Sequence, residues 1–138
     1  MHSKTLREIY EYDLIPDDGL NFPIEEWFNA VMEKTEDKLT VSDVSRMLRQ
    51  KIFSVVAINR AIEMLKEDIF TGEMYEGQLM ANLCNAKEKY LCKRYDDIRP
   101  ILKDAELKAL AHQWSCDEDK AEFLRTVEDF IKKVSTDK

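Results

Sequence analysis

The stretch FSVVAINRAIEMLKEDIF, residues 53–70, decides the fold class of this 138-residue chain. On a helical wheel its apolar side chains fall on nearly every side, and they include Phe53, Val56, Ile58, Ile62, Leu65 and Ile69. A helix that is apolar all round is normally buried, because any exposed face would leave apolar surface in water. We therefore predict that this stretch forms the central helix of a helical bundle.

The segments on either side also carry helical patterns. Pro23 suits the first turn of a helix, and Thr40 followed by Asp43 is close to a capping box at the start of another. Apolar side chains then recur at the spacing of one helix face. The stripes are Ile24, Trp27, Phe28, Val31 and Met32; Leu79, Met80, Leu83, Cys84 and Leu91; Ile101, Leu102, Ala105, Ala109 and Leu110; and Phe123, Leu124, Val127, Ile131 and Val134.

Breaks between these stripes are placed by turn residues. Glycine and proline number only three each, so the chain has few interruptions. The motif DDIRP, ending at Pro100, predicts one break, and Gly72 is expected to end the central helix in the left-handed conformation. No run is typical of a strand. The predicted fold class is therefore all-α, a single-domain helical bundle of about six or seven helices over residues 1–138.

The cysteines and the first residues of the chain indicate the cellular compartment in which the protein is expected to act. Cys84, Cys92 and Cys116 are odd in number and lack CxxC spacing, which is typical of free thiols in a reducing environment. The beginning lacks the apolar core of a signal peptide, and no stretch approaches the roughly 18 apolar residues of a membrane span. We expect a soluble, cytoplasmic protein without a membrane partner.

The net charge of −7 is unevenly distributed. Counting Lys and Arg against Asp and Glu gives −6 for residues 1–40, +3 for 41–60, −4 for 61–80, +2 for 81–100 and −2 for 101–138. Nucleic-acid binding rests on Lys and Arg that neutralise phosphates, so the acidic blocks argue against it. They favour a basic protein partner, although solubilising charge would give the same pattern.

No catalytic, metal or cofactor site is expected. The only histidines are His2 and His112, and His112 with Cys116 lacks the second tight ligand pair of a structural zinc site. The stretch IFTGEMYEGQL is not a phosphate loop, because Gln78 replaces the required lysine and its glutamates would repel phosphate. Gly77 is instead expected at a kink or a close helix approach.

Two interpretations stay open for Tyr75, which lies between Glu73 and Glu76. An aromatic side chain in an acidic loop is a plausible anchor for a protein interface. It could equally pack on the helix that follows.

Residues 40–66 offer an alternative function. A short helix, a break and a second helix with basic residues nearby resemble a helix-turn-helix DNA-binding regulator. The second helix is nevertheless too apolar to expose a recognition face, so a helical hairpin within the core is favoured.

The succession FPIEEWFNAVMEK, DKLTVSDVSRMLRQ and AIEMLKEDIFTGEMYEGQLMANL is similar to the helical immunity proteins of bacterial contact-dependent growth inhibition (CDI) systems. The similarity covers roughly residues 15–95. The positions that prompt it are Trp27, Asp43, Arg49, Gln50, Gly72, Tyr75 and Gly77.

The resemblance implies a non-enzymatic, cytoplasmic protein that binds and occludes the C-terminal toxin domain of a cell-surface effector. It further implies a nuclease toxin, such as a tRNA-cleaving RNase, whose basic cleft an acidic protein could fill. The immunity protein itself would be a monomer or weak oligomer. Combined with the charge blocks, this predicts a toxin-binding surface of Asp17, Asp18, Glu25, Glu26, Asp68, Glu73, Tyr75 and Glu76.

Overall fold

A computed structural model describes residues 4–10 and 23–136 of the chain. Seven helices there have five residues or more, and α6 adds a single turn, so the predicted all-α bundle is confirmed for the described ranges. The helices are α1 (Leu6–Tyr10), α2 (Pro23–Met32), α3 (Val41–Gln50), α4 (Ser54–Glu67), α5 (Gln78–Cys84), α6 (Glu88–Leu91), α7 (Tyr95–Ala111) and α8 (Asp117–Thr136). Short 3-10 turns cover Glu36–Lys38 and Cys92–Arg94.

Helix α4 is the centre of the bundle, as its sequence predicts. It packs against α3, α5, α6 and α7, while α8 lies across α5 and α7. Ile58, Ile62 and Leu65 are almost fully buried. Burial of apolar area contributes about 25 cal/mol per Å², so the buried side chains of α4 stabilise the bundle through the hydrophobic effect.

The capping box at the start of α3 is confirmed. The Thr40 side chain accepts a hydrogen bond from the Asp43 N–H at 3.1 Å, and the Asp43 carboxylate accepts one from the Thr40 N–H at 3.1 Å. These two bonds satisfy backbone donors that a helix start leaves free. The boundary at Thr40 could thus be placed from the sequence alone.

Three expectations about where helices end or break are wrong. Helix α4 ends at Glu67, five residues before Gly72, and Gly72 is not in the left-handed region. Pro100 lies inside α7, where no break occurs. Burial of Ile98, Ile101 and Leu102 on the same helix keeps α7 continuous despite the missing N–H of Pro100.

The third error concerns the stripe from Leu79 to Leu91. It is divided by a turn, because α5 ends at Cys84 and α6 begins only at Glu88. The Asn85 side chain donates to the Ala81 carbonyl at 3.1 Å, and a polar bond of this kind at a helix end competes with continuation of the helix.

Within residues 4–10 and 23–136, no helix combines the length and apolar character that crossing a membrane would require.

Candidate functional site

The segment from Asp68 to Gly77, here called the acidic loop, connects α4 to α5. It begins with a tight turn in which the Asp68 carboxylate accepts from the Phe70 N–H at 3.0 Å. The Asp68 carbonyl also accepts from the Thr71 N–H at 3.2 Å. Asp68 is exposed, and its carboxylate and its carbonyl both accept hydrogen bonds that stabilise the turn.

A buried glutamine holds the middle of the acidic loop. The Gln78 side-chain oxygen accepts hydrogen bonds from the N–H groups of Glu73 at 3.0 Å and Met74 at 2.8 Å. The Gly77 N–H donates to the Phe70 carbonyl at 2.9 Å. Because these bonds fix the backbone before any partner arrives, the loop would lose little conformational freedom on binding.

The acidic loop is also attached to the rest of the bundle at two points. The Glu73 carboxylate accepts from the Ser42 hydroxyl of α3 at 3.2 Å. The Glu76 carboxylate pairs with the His112 ring just after α7 and accepts from the Ser115 hydroxyl at 3.1 Å. The hydrogen bond from His112 is the main reason why the pKa of Glu76 is lowered.

Met74 and Tyr75 lie between these two attachment points. Met74 is 78% exposed and Tyr75 is 39% exposed. The partial exposure of the Tyr75 side chain is compatible with both interpretations of its role, as an interface anchor or as a side chain packed on its own protein. Two large side chains held outward by a fixed backbone are the kind of anchor that protein interfaces use.

Aromatic side chains pack around the acidic loop. Phe70 stacks on the His112 ring with centroids 3.9 Å apart, and Trp114 lies edge-on to Phe70 at 5.2 Å. Gly77 has a φ of 85°, and a Cβ added there would lie 2.4 Å from the Phe123 ring. The predicted close approach at Gly77 is confirmed, and only glycine fits both its φ and its neighbour.

The two acidic sequence blocks meet at the first turn of α3. Trp27 of α2 donates its indole N–H to the Asp43 carboxylate at 3.1 Å. Ser42, the residue before Asp43, donates to Glu73. Glu25 and Glu26 precede Trp27 on α2, so the structure brings their helix to the same end of α3 as the acidic loop.

Asp43 fixes this junction. It is buried, and its carboxylate accepts from Lys34 at 2.6 Å as well as from Trp27 and the Thr40 N–H. Burial acts to raise its pKa, but the bonds from Lys34, Thr40 and Trp27 outweigh burial, and the net effect is a lowered pKa. The charge that organises the junction is thus internal and is not offered to a partner.

The predicted surface residues have different surroundings. Glu26, Asp68 and Glu73 are exposed, whereas Glu25 and Glu76 are partly buried. Asp17 and Asp18 lie outside the described residues.

Sequence reasoning missed an apolar feature on α7. Leu107 is 68% exposed and Leu110 is 73% exposed, although Leu110 was expected in the core stripe. Buried positions on this helix are Ile98, Ile101, Leu102, Ala105 and Ala109. Leu107 falls outside that periodicity, and this was the available signal that α7 exposes apolar surface near His112.

Other chemistries find little support in the described part of the chain. No group of three His, Cys, Asp or Glu side chains is arranged there for a metal ion. Burial raises the pKa of the Cys84 thiol, which disfavours the reactive thiolate. The exposed residues of α4 are Val55, Glu63, Lys66 and Glu67, so α4 offers no basic recognition face for DNA.

A fixed acidic loop with outward apolar side chains, carried on a helical scaffold, has the features of a protein-binding surface. A family model described as CDI immunity proteins matches residues 6–101, and the chain belongs to that family. Members of the family bind and neutralise a cognate CDI toxin domain, so they act as inhibitors. A search of curated proteins found no match.

Proposed function

We propose that this immunity protein neutralises a nuclease toxin, most simply an RNase, by covering a basic substrate cleft with the acidic loop and the start of α2. The protein would act in the cytoplasm and without catalysis of its own. The observation that carries the proposal is the meeting of two acidic blocks at the first turn of α3, joined through Trp27–Asp43 and Ser42–Glu73.

The charges suit such a partner. Glu26 on α2 and Glu73 in the acidic loop are both exposed, and the chain as a whole carries −7. A cleft that binds RNA must present Lys and Arg to phosphates, so an acidic surface can occupy it and speed up association. Asp17, Asp18, Glu25 and Asp68 would extend the acidic surface, while Glu76 would hold the loop in place through His112.

Met74 and Tyr75 would supply the apolar part of the interface. Charged rims contribute mainly to association rate, whereas buried aromatic and apolar anchors slow dissociation. The acidic loop offers both kinds of group on one preorganised backbone.

The test is a binding titration with the toxin domain encoded by the neighbouring gene. Reversing two charges together, Glu26→Lys with Glu73→Lys, should weaken binding by about 10-fold to 100-fold, as expected for two lost charge contacts. The salt dependence of the dissociation constant should also become shallower. Asp17→Lys with Asp18→Lys tests the N-terminal part of the surface in the same way.

A matched control is the pair Glu122→Lys and Glu128→Lys on α8, which are exposed and paired within their own helix. The acidic-surface proposal fails if the control pair weakens binding as much as the loop pair does. The nuclease part is tested separately, by asking whether the free toxin domain degrades RNA and whether one equivalent of immunity protein stops it. A toxin that binds tightly but leaves tRNA, other RNA and DNA intact would overturn that part alone.

A further inference from the structure

A groove on another side of the bundle has the opposite charge. It consists of two adjoining depressions of about 300 and 410 Å³ that share Val55 and Tyr90. The groove runs from the α3–α4 turn past the first turn of α4 to α6 and the 3-10 turn after it. Its basic lining residues are Lys51, Lys87, Lys93 and Arg94, and no acidic residue lines it among those described.

Two of these four cations already have partners in the chain, and two are available to a binding partner. Lys51 donates to the Asn85 carbonyl at 2.7 Å, and Arg94 is paired with Asp97 at 2.8 Å. Lys87 and Lys93 are exposed and make no ion pair within the described ranges. The groove therefore carries positive charge that its own walls do not neutralise.

The floor of the groove is apolar. Val55 remains 48% exposed although it belongs to the central helix, and half-buried Tyr90 lies beside it. Beneath them, Phe53 packs against Phe28 at a centroid distance of 5.4 Å and against Tyr10 at 4.9 Å. Val55 and Tyr90 thus form a shallow apolar surface, called here the apolar seat, with cations at the rim of the groove.

The backbone beside the seat is in an unusual conformation. Lys51 has a φ of 59° and Phe53 a φ of 50°, both in the left-handed region that favours glycine. Two such residues within one three-residue turn cost conformational energy, and such outliers concentrate at binding sites. The turn directs Lys51, Ile52 and Phe53 to the same groove.

We propose that this groove binds an acidic polypeptide segment, with one apolar side chain placed against Val55 and Tyr90 and its carboxylates near Lys87 and Lys93. The groove lies at the C-terminal end of the ten-residue α3, whereas Ser42 and the acidic loop lie at its N-terminal end, about 15 Å away along the helix axis. The proposal thus concerns a second partner surface and is independent of the proposed toxin-facing one.

A polypeptide fits the groove better than a nucleic acid does. Single-stranded nucleic acids bind through aromatic faces on which bases stack. The Lys89 ammonium lies over the Tyr90 ring at 5.0 Å from its centroid, so one face of that ring is already covered. The net charge of −7 would further repel a long polyanion, while a short acidic segment meets only the local cations.

The test uses a fluorescein-labelled 12-residue peptide with six glutamates and a central phenylalanine, followed by anisotropy at low and at physiological salt. Comparison probes are the same peptide with alanine in place of phenylalanine, the same peptide with lysines in place of the glutamates, and a 12-nucleotide single-stranded RNA. The acidic phenylalanine peptide should bind at least tenfold more tightly than each of the other three.

The protein variants locate the binding site. Lys87→Glu with Lys93→Glu should weaken peptide binding at least tenfold, and Val55→Asp should do the same through the apolar seat. The control pair Lys103→Glu and Lys132→Glu makes the same change in net charge at exposed sites on α7 and α8 and should change binding less than twofold. Circular dichroism confirms that each variant is folded, and the Lys87/Lys93 variant should retain toxin binding.

Three results would overturn the proposal. They are equal losses in the groove pair and the control pair, tighter binding of the RNA than of the peptide, and no binding of the acidic peptide at millimolar concentration. Loss of toxin binding in the Lys87/Lys93 variant would instead place the toxin on the basic groove and contradict the independence of the two surfaces.

Discussion

The Glu76 carboxylate is held in place by side chains from a distant part of the same chain. It receives hydrogen bonds from His112 and Ser115, and its pKa is lowered, first of all by the bond from His112. The sequence predicts Glu76 as an interface residue because it lies in an acidic loop. The contact with His112 joins residues 36 apart in sequence, so no local pattern could reveal it.

The pH dependence of stability tests this pairing. A carboxylate whose folded pKa is lowered stabilises the fold above its unfolded pKa, near 4.5 here, and loses that effect as the pH falls through the folded value. Glu76→Gln should therefore be less stable than the wild type at pH 7, and the difference should shrink below about pH 4.5. Urea unfolding from pH 7 to pH 3 measures it, with Glu122→Gln as an exposed control. A difference that stays constant over this range would contradict the pairing.

Gly77 is the residue on which the close packing of the acidic loop depends. Its φ of 85° strains any other residue, and an added Cβ would clash with the Phe123 ring at 2.4 Å. Gly77→Ala should lower the free energy of unfolding by about 1–3 kcal/mol, the range for strained backbone at such positions. Thermal or urea denaturation checks this value. A neutral or stabilising effect would show that the loop and α8 are not packed as described.

At the scale of elements, helices with strong local signals could be predicted and their interruptions could not. The capping box at Thr40 and the all-apolar pattern of α4 are local, and both are confirmed. The turn after Cys84 and the continuous path of α7 through Pro100 depend on what each segment buries. Tertiary packing overrides propensity at such places, because burial contributes more energy than one missing hydrogen bond.

The start of α3 is the element on which the junction of the acidic blocks depends. Asp43→Ala would remove one of the two hydrogen bonds of the capping box and leave the ammonium of Lys34 and the indole N–H of Trp27 without their acceptor. A loss of about 2–4 kcal/mol in unfolding free energy is expected, from the cap and the partly buried ion pair together. Asp43→Asn keeps a capping oxygen and should lose less. Equal losses in the two variants would mean that capping contributes nothing measurable.

At the scale of the whole molecule, the sequence reveals the sign of the surface charge but not its arrangement. The acidic blocks could be counted from the sequence, yet their meeting at α3 depends on the long-range contacts Trp27–Asp43 and Ser42–Glu73. The same limit applies to the basic groove, which is assembled from segments whose proximity only the folded chain defines.

Opposite ends of α3 therefore carry surfaces of opposite sign, and the kinetics of toxin binding can test the acidic one. Charge reversal at Glu26 and Glu73 should lower the association rate and its salt dependence, because exposed charges act mainly by steering. Met74→Ala with Tyr75→Ala should instead raise the dissociation rate, by about tenfold or more if they are buried anchors. Stopped-flow measurements at two salt concentrations separate the two effects. If the Met74/Tyr75 variant dissociates as slowly as the wild type, Tyr75 belongs to the packing of its own loop and the toxin contacts another face.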